Sequence, residues 1–125
     1  MVSEAINVAR AFQAAWLSGD FEKARGYLAD DIVLDSPFGR ETSPEAIIGQ
    51  YAGFSQAVSG PAREIAAFGE GERAMILSEI PTSTFGTQVS AALYVVRAGK
   101  IAAETLVYDA TAMKASIAAV SGQSA

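Results

Sequence analysis

The sequence predicts an α+β fold, a cone-shaped barrel of curved, mostly antiparallel sheet wrapped around three helices from the first half of the chain. Three observations predict it. Apolar residues recur at three- and four-residue steps up to about residue 58. Short period-two runs, punctuated by glycine-bearing turns, take over from residue 63 to residue 108. Helices first and strands afterwards mark the α+β class rather than an alternating one. One end of a cone stays open, which predicts a pocket between sheet and helices.

The first helix covers residues 3–18, with Ala5, Val8, Ala9, Phe12, Ala15 and Trp16 on one face. Ser18-Gly19 stops it, and Asp20 is an N-cap for a second helix that runs to about Leu28. Asp30 and Asp31 predict a turn, because their side chains bond nearby backbone. Ile32, Val33 and Leu34 then start a strand over about 31–36. Pro37 has no N–H to give a ladder, so pairing should end there, and Gly39 permits the following turn. Ser36-Pro37-Phe38 therefore sits at the open mouth of the fold. Ser43 caps a third helix, Pro44 suits its first position and Glu45 complements its dipole. Its apolar face is Ile47, Ile48, Tyr51, Phe54 and Val58, and Ser59-Gly60-Pro61 ends it.

Four strands follow: Arg63 to Phe68, Arg73 to Thr82, Phe85 to Arg97 and Ile101 to Tyr108. Gly69-Glu70-Gly71-Glu72 and Ala98-Gly99-Lys100 are the turns. The tail from Ala110 predicts a weak helix near Met113–Val120 that frays after Gly122. The 125 residues make one domain, its core at about 5–109.

Composition excludes several functions. With no Cys there is no disulfide, thiol nucleophile or thiolate metal site. With no His there is no Ser-His-Asp triad and no usual zinc site, so acid–base work falls to carboxylates, Tyr, Lys or water. A net charge of −5 without a basic cluster argues against nucleic acid. No apolar run approaches the roughly 18–20 residues of a membrane helix, and the N-terminus lacks a secretory leader. A cytoplasmic protein is expected, without cofactor or metal. The Asp30, Asp31 and Asp35 spacing does not match a calcium loop, and Gly69 to Glu72 lacks the pattern of a nucleotide-binding loop.

Strand parity nominates the pocket residues. Glu79 shares a face with Met75 and Leu77, and Glu104 shares one with Leu106 and Tyr108. Each is a lone carboxylate in an apolar strand, so it must be solvated, paired, or kept neutral by a raised pKa. One reading puts both in the pocket as proton donor and acceptor; the other leaves them on the outer face. Phe12, Trp16, Phe38 and Phe54 are candidates to line an apolar cavity, with Leu77, Tyr94 and Leu106. Ser36, Tyr51 and Tyr108 could offer hydroxyls. Both sheet faces are apolar, which predicts a homodimer through the outer one.

The chain resembles the NTF2-like superfamily, nearest its SnoaL-like and ketosteroid-isomerase-like branch, over about residues 5–109. The resemblance rests on Ala15-Trp-Leu-Ser-Gly-Asp-Phe21, Leu28-Ala-Asp-Asp31, Ser36-Pro37-Phe38-Gly39, the helix opening at Pro44, and Gly99-Lys-Ile101 with Tyr108-Asp109. It implies a cone-shaped (cystatin-like) α+β barrel, a deep apolar pocket and commonly a homodimer. Family activities include isomerases, cyclases, hydrolases and dehydratases, beside non-catalytic modules. The isomerase's general-base Asp falls on Ser36, its first-helix Tyr on Phe12, and its oxyanion-hole Asp near Ala91 or Ala92. Only the third-helix Tyr matches, at Tyr51, so a typical ketosteroid isomerase is disfavoured. The cyclases' His partner is absent, and the epoxide hydrolases' Asp-Arg-Asp relay lacks a pocket Arg. The same carry-over puts Glu79 and Glu104 at pocket positions. Two functions stay open: carboxylate-assisted isomerisation, cyclisation or dehydration of a small apolar substrate, or non-catalytic binding of a hydrophobic small molecule. A pure interaction domain, its pocket filled by Phe12, Trp16 and Tyr51, is a third.

Overall fold

The computed structural model describes residues 3–123, with side chains to residue 119. Three helices, α1 (Glu4–Leu17), α2 (Phe21–Gly26) and α3 (Pro44–Ser55), alternate early with strands β1 (Leu28–Ser36) and β2 (Gly39–Glu41). Then come β3 (Arg63–Glu70), β4 (Arg73–Thr82), β5 (Gly86–Arg97) and β6 (Lys100–Val107), and a last helix α4 (Thr111–Gln123). The six strands form one curved, unclosed sheet in the order β2-β1-β6-β5-β4-β3. Every pairing is antiparallel except β1 with β6.

Local chemistry accounts for the elements. The Ser3 hydroxyl accepts from the Ile6 N–H at the start of α1, and Ser43 accepts from the Ala46 N–H at the start of α3. Glu41 reinforces the second cap by accepting from the Thr42 and Ser43 N–H groups. The buried stripe of α1 is Ala5, Ile6, Ala9, Phe12, Ala15 and Trp16. It packs on the concave sheet face, where Ala74, Ile76, Ala92, Tyr94, Val96 and Ile101 are buried. Removing such surface from water is worth about 25 cal/mol per Å². That packing is the main force that holds helix to sheet.

Several expectations are corrected. Asp30 and Asp31 do not turn the chain. They lie exposed inside β1, which begins at Leu28 because Leu28 pairs with Ile101 on β6. Helix α2 accordingly ends at Gly26. The β1 ladder ends at Ser36, as Pro37 predicts, but the chain then doubles back into an unforeseen strand: Pro37 and Phe38 form the two-residue tip of a hairpin, closed by Ser36 opposite Gly39 at φ 106°. Helix α3 ends at Ser55, and Val58 instead bridges to Thr82. Gly69 and Glu70 belong to β3, so only Gly71 and Glu72 turn. The tail is a helix from Thr111 through Gly122 to Gln123; any fraying of residues 124–125 lies outside the described residues.

The outer sheet face is bare. Phe68 is 72% exposed, Val107 61% and Val89 52%, with Met75 and Ile65 also exposed. Register places Phe68 opposite Met75, and Val107 opposite Ala91, itself opposite Leu77. No described helix is long and apolar enough to cross a membrane.

Candidate functional site

A cavity of about 450 Å³ lies between the concave sheet face and helices α1, α3 and α4. Period-two alternation supplies its sheet side: Ser90, Ala92 and Tyr94 from β5, Ile80 from β4, Leu106 from β6 and Leu34 from β1. Helical spacing supplies the rest in pairs, Gln13 with Trp16 on α1, Tyr51 with Phe54 on α3, and Met113 with Ile117 on α4. None of the described side chains lining it carries a charge.

Aromatic packing fixes the inner end. The Tyr51 ring stands edge-on to Phe12, with centroids 5.2 Å apart, and lies 4.9 Å from Trp16. Phe12 is also edge-on to Tyr94 at 6.3 Å. Phe12 is fully buried behind these rings and does not line the cavity. The cone is therefore partly filled at its base and open above it.

Glu104 lies one layer behind Tyr51. On β6 it sits between Tyr94 of β5 and Leu34 of β1, and it is 1% exposed. Its orientation comes from an irregularity. Ile101 pairs with Val96 but Ala103 pairs with Val95, so Ala102 is extra, and Ile101 and Glu104 both point inward three residues apart. The Tyr51 hydroxyl donates to Glu104 Oε2, whereas Oε1 has no described hydrogen-bond partner. Burial raises the Glu104 pKa to about 7, against the opposing pull of the Tyr51 hydrogen bond. Burial, then the nearby Glu104 charge, pushes the Tyr51 and Tyr94 hydroxyls well above the ordinary tyrosine value. Gln13 Nε2 donates to the Tyr94 hydroxyl at 3.0 Å. Gln13, Tyr94, Tyr51 and Glu104 thus form a polar cluster at the base of a mainly apolar space. Burial of the Trp16 indole is nearly complete, yet its Nε1–H has no described partner.

The mouth is built from separate elements. Phe38, at the tip of the β1–β2 hairpin, packs against Tyr108 with ring centroids 6.5 Å apart. Lys114 of α4 sits 5.6 Å over the Phe38 ring, a cation–π contact that latches the helix across the opening. Tyr108 lines the cavity, and burial raises its hydroxyl pKa.

The nominated residues therefore divide. Trp16, Phe38, Tyr51, Phe54, Tyr94, Leu106 and Tyr108 line the cavity. Glu79 does not meet Glu104. The concave face of β4 carries Ala74, Ile76, Ser78 and Ile80, so Met75, Leu77 and Glu79 face outward. There Arg63, directly opposite on β3, pairs with the Glu79 carboxylate. Leu77 leaves the cavity for the same reason of parity. Ser36 turns inside the hairpin, its hydroxyl accepting from the Phe38 N–H at 3.1 Å. Among the described residues no three acidic side chains gather to hold a metal ion.

Sequence reasoning missed Gln13, Gln88, Ser90 and the α4 residues. Gln13 was findable as the polar residue three before Trp16. Counting back in twos from Tyr94 reaches Ser90 and Gln88. Met113 and Ile117 gave no such signal, because nothing in the Ala- and Ser-rich tail says which way it folds back.

Residues 8–104 match a family profile described as SnoaL-like domain. Comparison with curated proteins found no match. Among solved structures, a protein of Kribbella flavida DSM 17836 superposes with a TM-score of 0.86 at 25% identity, over 97% of this chain and 99% of that one. An NTF2-like protein of unknown function from Cytophaga hutchinsonii ATCC 33406 gives 0.75 at 16% identity, over 91% and 96%. An LEH-like epoxide hydrolase of M. tuberculosis gives 0.70 at 18% identity, over 89% and 86%. At such identities the last two likenesses speak for the fold alone.

Proposed function

Because this chain belongs to the SnoaL-like family of NTF2-like proteins, we propose that its cavity takes a small, uncharged, mainly apolar substrate and catalyses proton transfer beside a carbonyl. The observation that carries the reading is the Tyr51–Glu104 pair: a buried carboxyl with a pKa of about 7, hydrogen-bonded to the hydroxyl of a tyrosine that lines the cavity. A general base works best when its pKa lies near the operating pH. Glu104 does not touch the cavity, so it acts through Tyr51. The Tyr51 oxygen takes a proton from the substrate carbon as its own proton passes to Glu104 Oε2, leaving an enolate. Return of the proton at another carbon gives isomerisation. Expulsion of a β-hydroxyl, which leaves as water on taking back the proton held by Glu104 through Tyr51, gives dehydration, and attack of the enolate carbon on a second carbonyl, whose oxygen takes that proton, gives cyclisation. Among the described residues the cavity lining includes neither Asp nor Arg, so the hydrolase relay implied by the family resemblance has no counterpart there.

The test is deuterium exchange at the α-carbon of a cyclic ketone in heavy water, followed by NMR. The wild-type protein should accelerate exchange, with a rate that rises with pH through about 7 as Glu104 ionises. Tyr51→Phe and Glu104→Gln should each cost roughly 10²-fold or more, the usual size of acid–base help. Ketone binding without faster exchange would sink the catalytic reading.

A second reading has its own observation. No charged side chain among the described residues lines the cavity, and a non-catalytic binder needs only an apolar space with a few polar anchors. Binding without exchange is its signature. In either case the bare outer face, with Phe68, Met75, Val89 and Val107 exposed, suits a second copy of this chain.

A further inference from the structure

The geometry points to Gln88 as the residue that selects this cavity's ligand: at the mouth its side-chain carbonyl oxygen accepts a hydrogen bond from the hydroxyl or N–H group of an uncharged ligand whose apolar body lies deeper inside. This inference deepens the proton-transfer reading by naming the far end of its substrate. It rests on that reading only for the carbonyl at the near end.

It follows from an inventory of the polar groups around the cavity. At the inner end the groups are bonded to one another: Tyr51 donates to Glu104, and the Tyr94 oxygen accepts from Gln13. Tyr94 is 1% exposed and Trp16 Nε1 is buried outright, so neither reaches far into the space. Toward solvent the lining groups lack described partners. Ser90, Tyr108 and Ser116 carry hydroxyls that turn to give or take a proton, and Gln50 is exposed with an amide free to flip. None of these four imposes a direction on a ligand.

Gln88 does impose one. On the concave face β5 carries Gln88, Ser90, Ala92 and Tyr94, so Gln88 marks the outer end of a row whose inner end is the buried Tyr94. Its Nε2 donates to the Phe85 carbonyl at 2.9 Å. A backbone carbonyl only accepts, so the amide cannot flip. Phe85 is itself held by the turn between β4 and β5. The Thr82 hydroxyl accepts from the Phe85 N–H at 2.9 Å and donates to the Gly86 carbonyl at 2.6 Å. Gln88 Oε1 is left without a described partner, and unlike Trp16 Nε1 and Glu104 Oε1 it is not a buried atom. An oxygen fixed this way takes a proton and never gives one. Its orientation is set before the ligand arrives, which lowers the entropy lost on binding. The second N–H of the amide stays available to an acceptor, so a hydroxyl, which both gives and takes, suits the position better than an ether. The ligand's polar end is uncharged because no described side chain of the lining carries a charge to pair with it.

The probes are 4-cyclohexylcyclohexanone with hydrogen, hydroxyl or methoxy at the 4′ position, and cyclohexanone with the same three groups at position 4. Each is titrated into the full chain by calorimetry. A methoxy oxygen accepts but cannot donate. The two-ring hydroxyketone should therefore bind roughly three- to tenfold more tightly than its methoxy analogue, the worth of one neutral hydrogen bond. Gln88→Met keeps the length of the side chain, removes its oxygen, and should erase that ratio. Ser90→Ala should leave the ratio in place. In the wild-type chain the Gln88 side-chain carbonyl ¹³C signal should move downfield with the hydroxyketone and not with the methoxy compound. That measurement decides the matter even where a variant fails to fold. Equal binding of hydroxyl and methoxy compounds in both series, a ratio that survives Gln88→Met, or a Gln88 carbonyl that responds alike to both compounds would overturn the inference. A hydroxyl preference without faster α-proton exchange leaves it standing and removes the catalytic reading. Faster exchange without the preference does the reverse. Failure of every probe to bind removes both.

Discussion

The Tyr51 hydroxyl donates to the Glu104 carboxylate across 53 residues of sequence, in a part of the interior where Glu104 is 1% exposed and its second oxygen has no described partner. Helix α3 and strand β6 are thereby joined through one buried polar contact. A buried carboxyl is tolerated in two ways, by remaining protonated or by spending every hydrogen bond within reach. Glu104 does both in part, which leaves it poised between its two forms near pH 7.

Poise of that kind has a measurable consequence for stability. The Glu104 pKa is raised from 4.5 to about 7 on folding. Below about 4.5 folded and unfolded chains both hold the proton. Between those values only the folded chain holds it, so stability falls as pH rises, and above about 7 the loss is complete. At about 1.4 kcal/mol per pH unit, that window is worth on the order of 3 kcal/mol. Glu104→Gln has no proton to lose. Urea unfolding of both proteins at pH 5, 6, 7 and 8 should show the variant gaining on the wild type as pH rises. A difference that stays flat would mean that Glu104 is not held protonated in the fold.

Tyr51→Phe separates the hydrogen bond from the burial. The bond favours the ionised carboxylate, so losing it should move the Glu104 pKa still further above its value of about 7. A ¹³C-carboxyl NMR titration reads this directly. Above pH 7 the variant must either hold its proton or bury a carboxylate with neither oxygen bonded, and either should cost roughly 1–3 kcal/mol relative to the wild type. At pH 5 the protonated form suffers less, and the loss should shrink. An unmoved titration would show that Tyr51 is not the partner in solution.

The architecture was legible in the sequence, because its signals are periodic and numerous. The α1 stripe from Ala5 to Trp16 and the caps at Asp20 and Ser43 need no distant information. The candidate site was legible only in part, for a reason that Glu79 illustrates. Alternation tells which β4 residues share a face, but not which face is concave. Met75 and Leu77 make the outer face look like an interior, so Glu79 reads as a lone acid in an apolar strand. Its partner, Arg63, comes from β3. Counting the hairpin from Glu70 opposite Arg73 would put residue 64 opposite Glu79, and the irregularity between Glu64 and Ala66 moves that position to Arg63. Irregularities of this kind leave no mark in composition. The extra Ala102 that brings Ile101 and Glu104 to one face is another.

Gly69 is tested by a single methyl group. It lies within β3, opposite Ala74, where the strand passes under the start of α1. A Cβ there would stand 2.2 Å from Ser3 Oγ and 3.0 Å from Ile6 Cγ1. The Ser3 hydroxyl could rotate away only by abandoning the Ile6 N–H that it caps at 3.2 Å. Gly69→Ala should therefore cost about 1–2 kcal/mol, the usual worth of an N-cap, despite its better strand propensity. Denaturant unfolding of Gly69→Ala beside Ser3→Ala and the double variant checks the cause. The two losses should be strongly sub-additive if the methyl acts by displacing the cap.

Val107 tests the outer face. It is 61% exposed, stands opposite Ala91, and lies in the same row as Leu77. Phe68, Met75 and Val89 extend the apolar surface across three more strands. A symmetric dimer would bring each such side chain close to a copy of the same patch. Val107→Glu then places a carboxylate in the interface of both copies, and an unpaired charge there costs several kcal/mol. Light scattering during size exclusion should give twice the 13.0 kDa chain mass for the wild type and the single mass for the variant. Trp16 fluorescence and circular dichroism should not change, because Val107 faces away from the cavity. A wild-type monomer, or a dimer indifferent to the new charge, would show that something other than this face joins the copies or that nothing does.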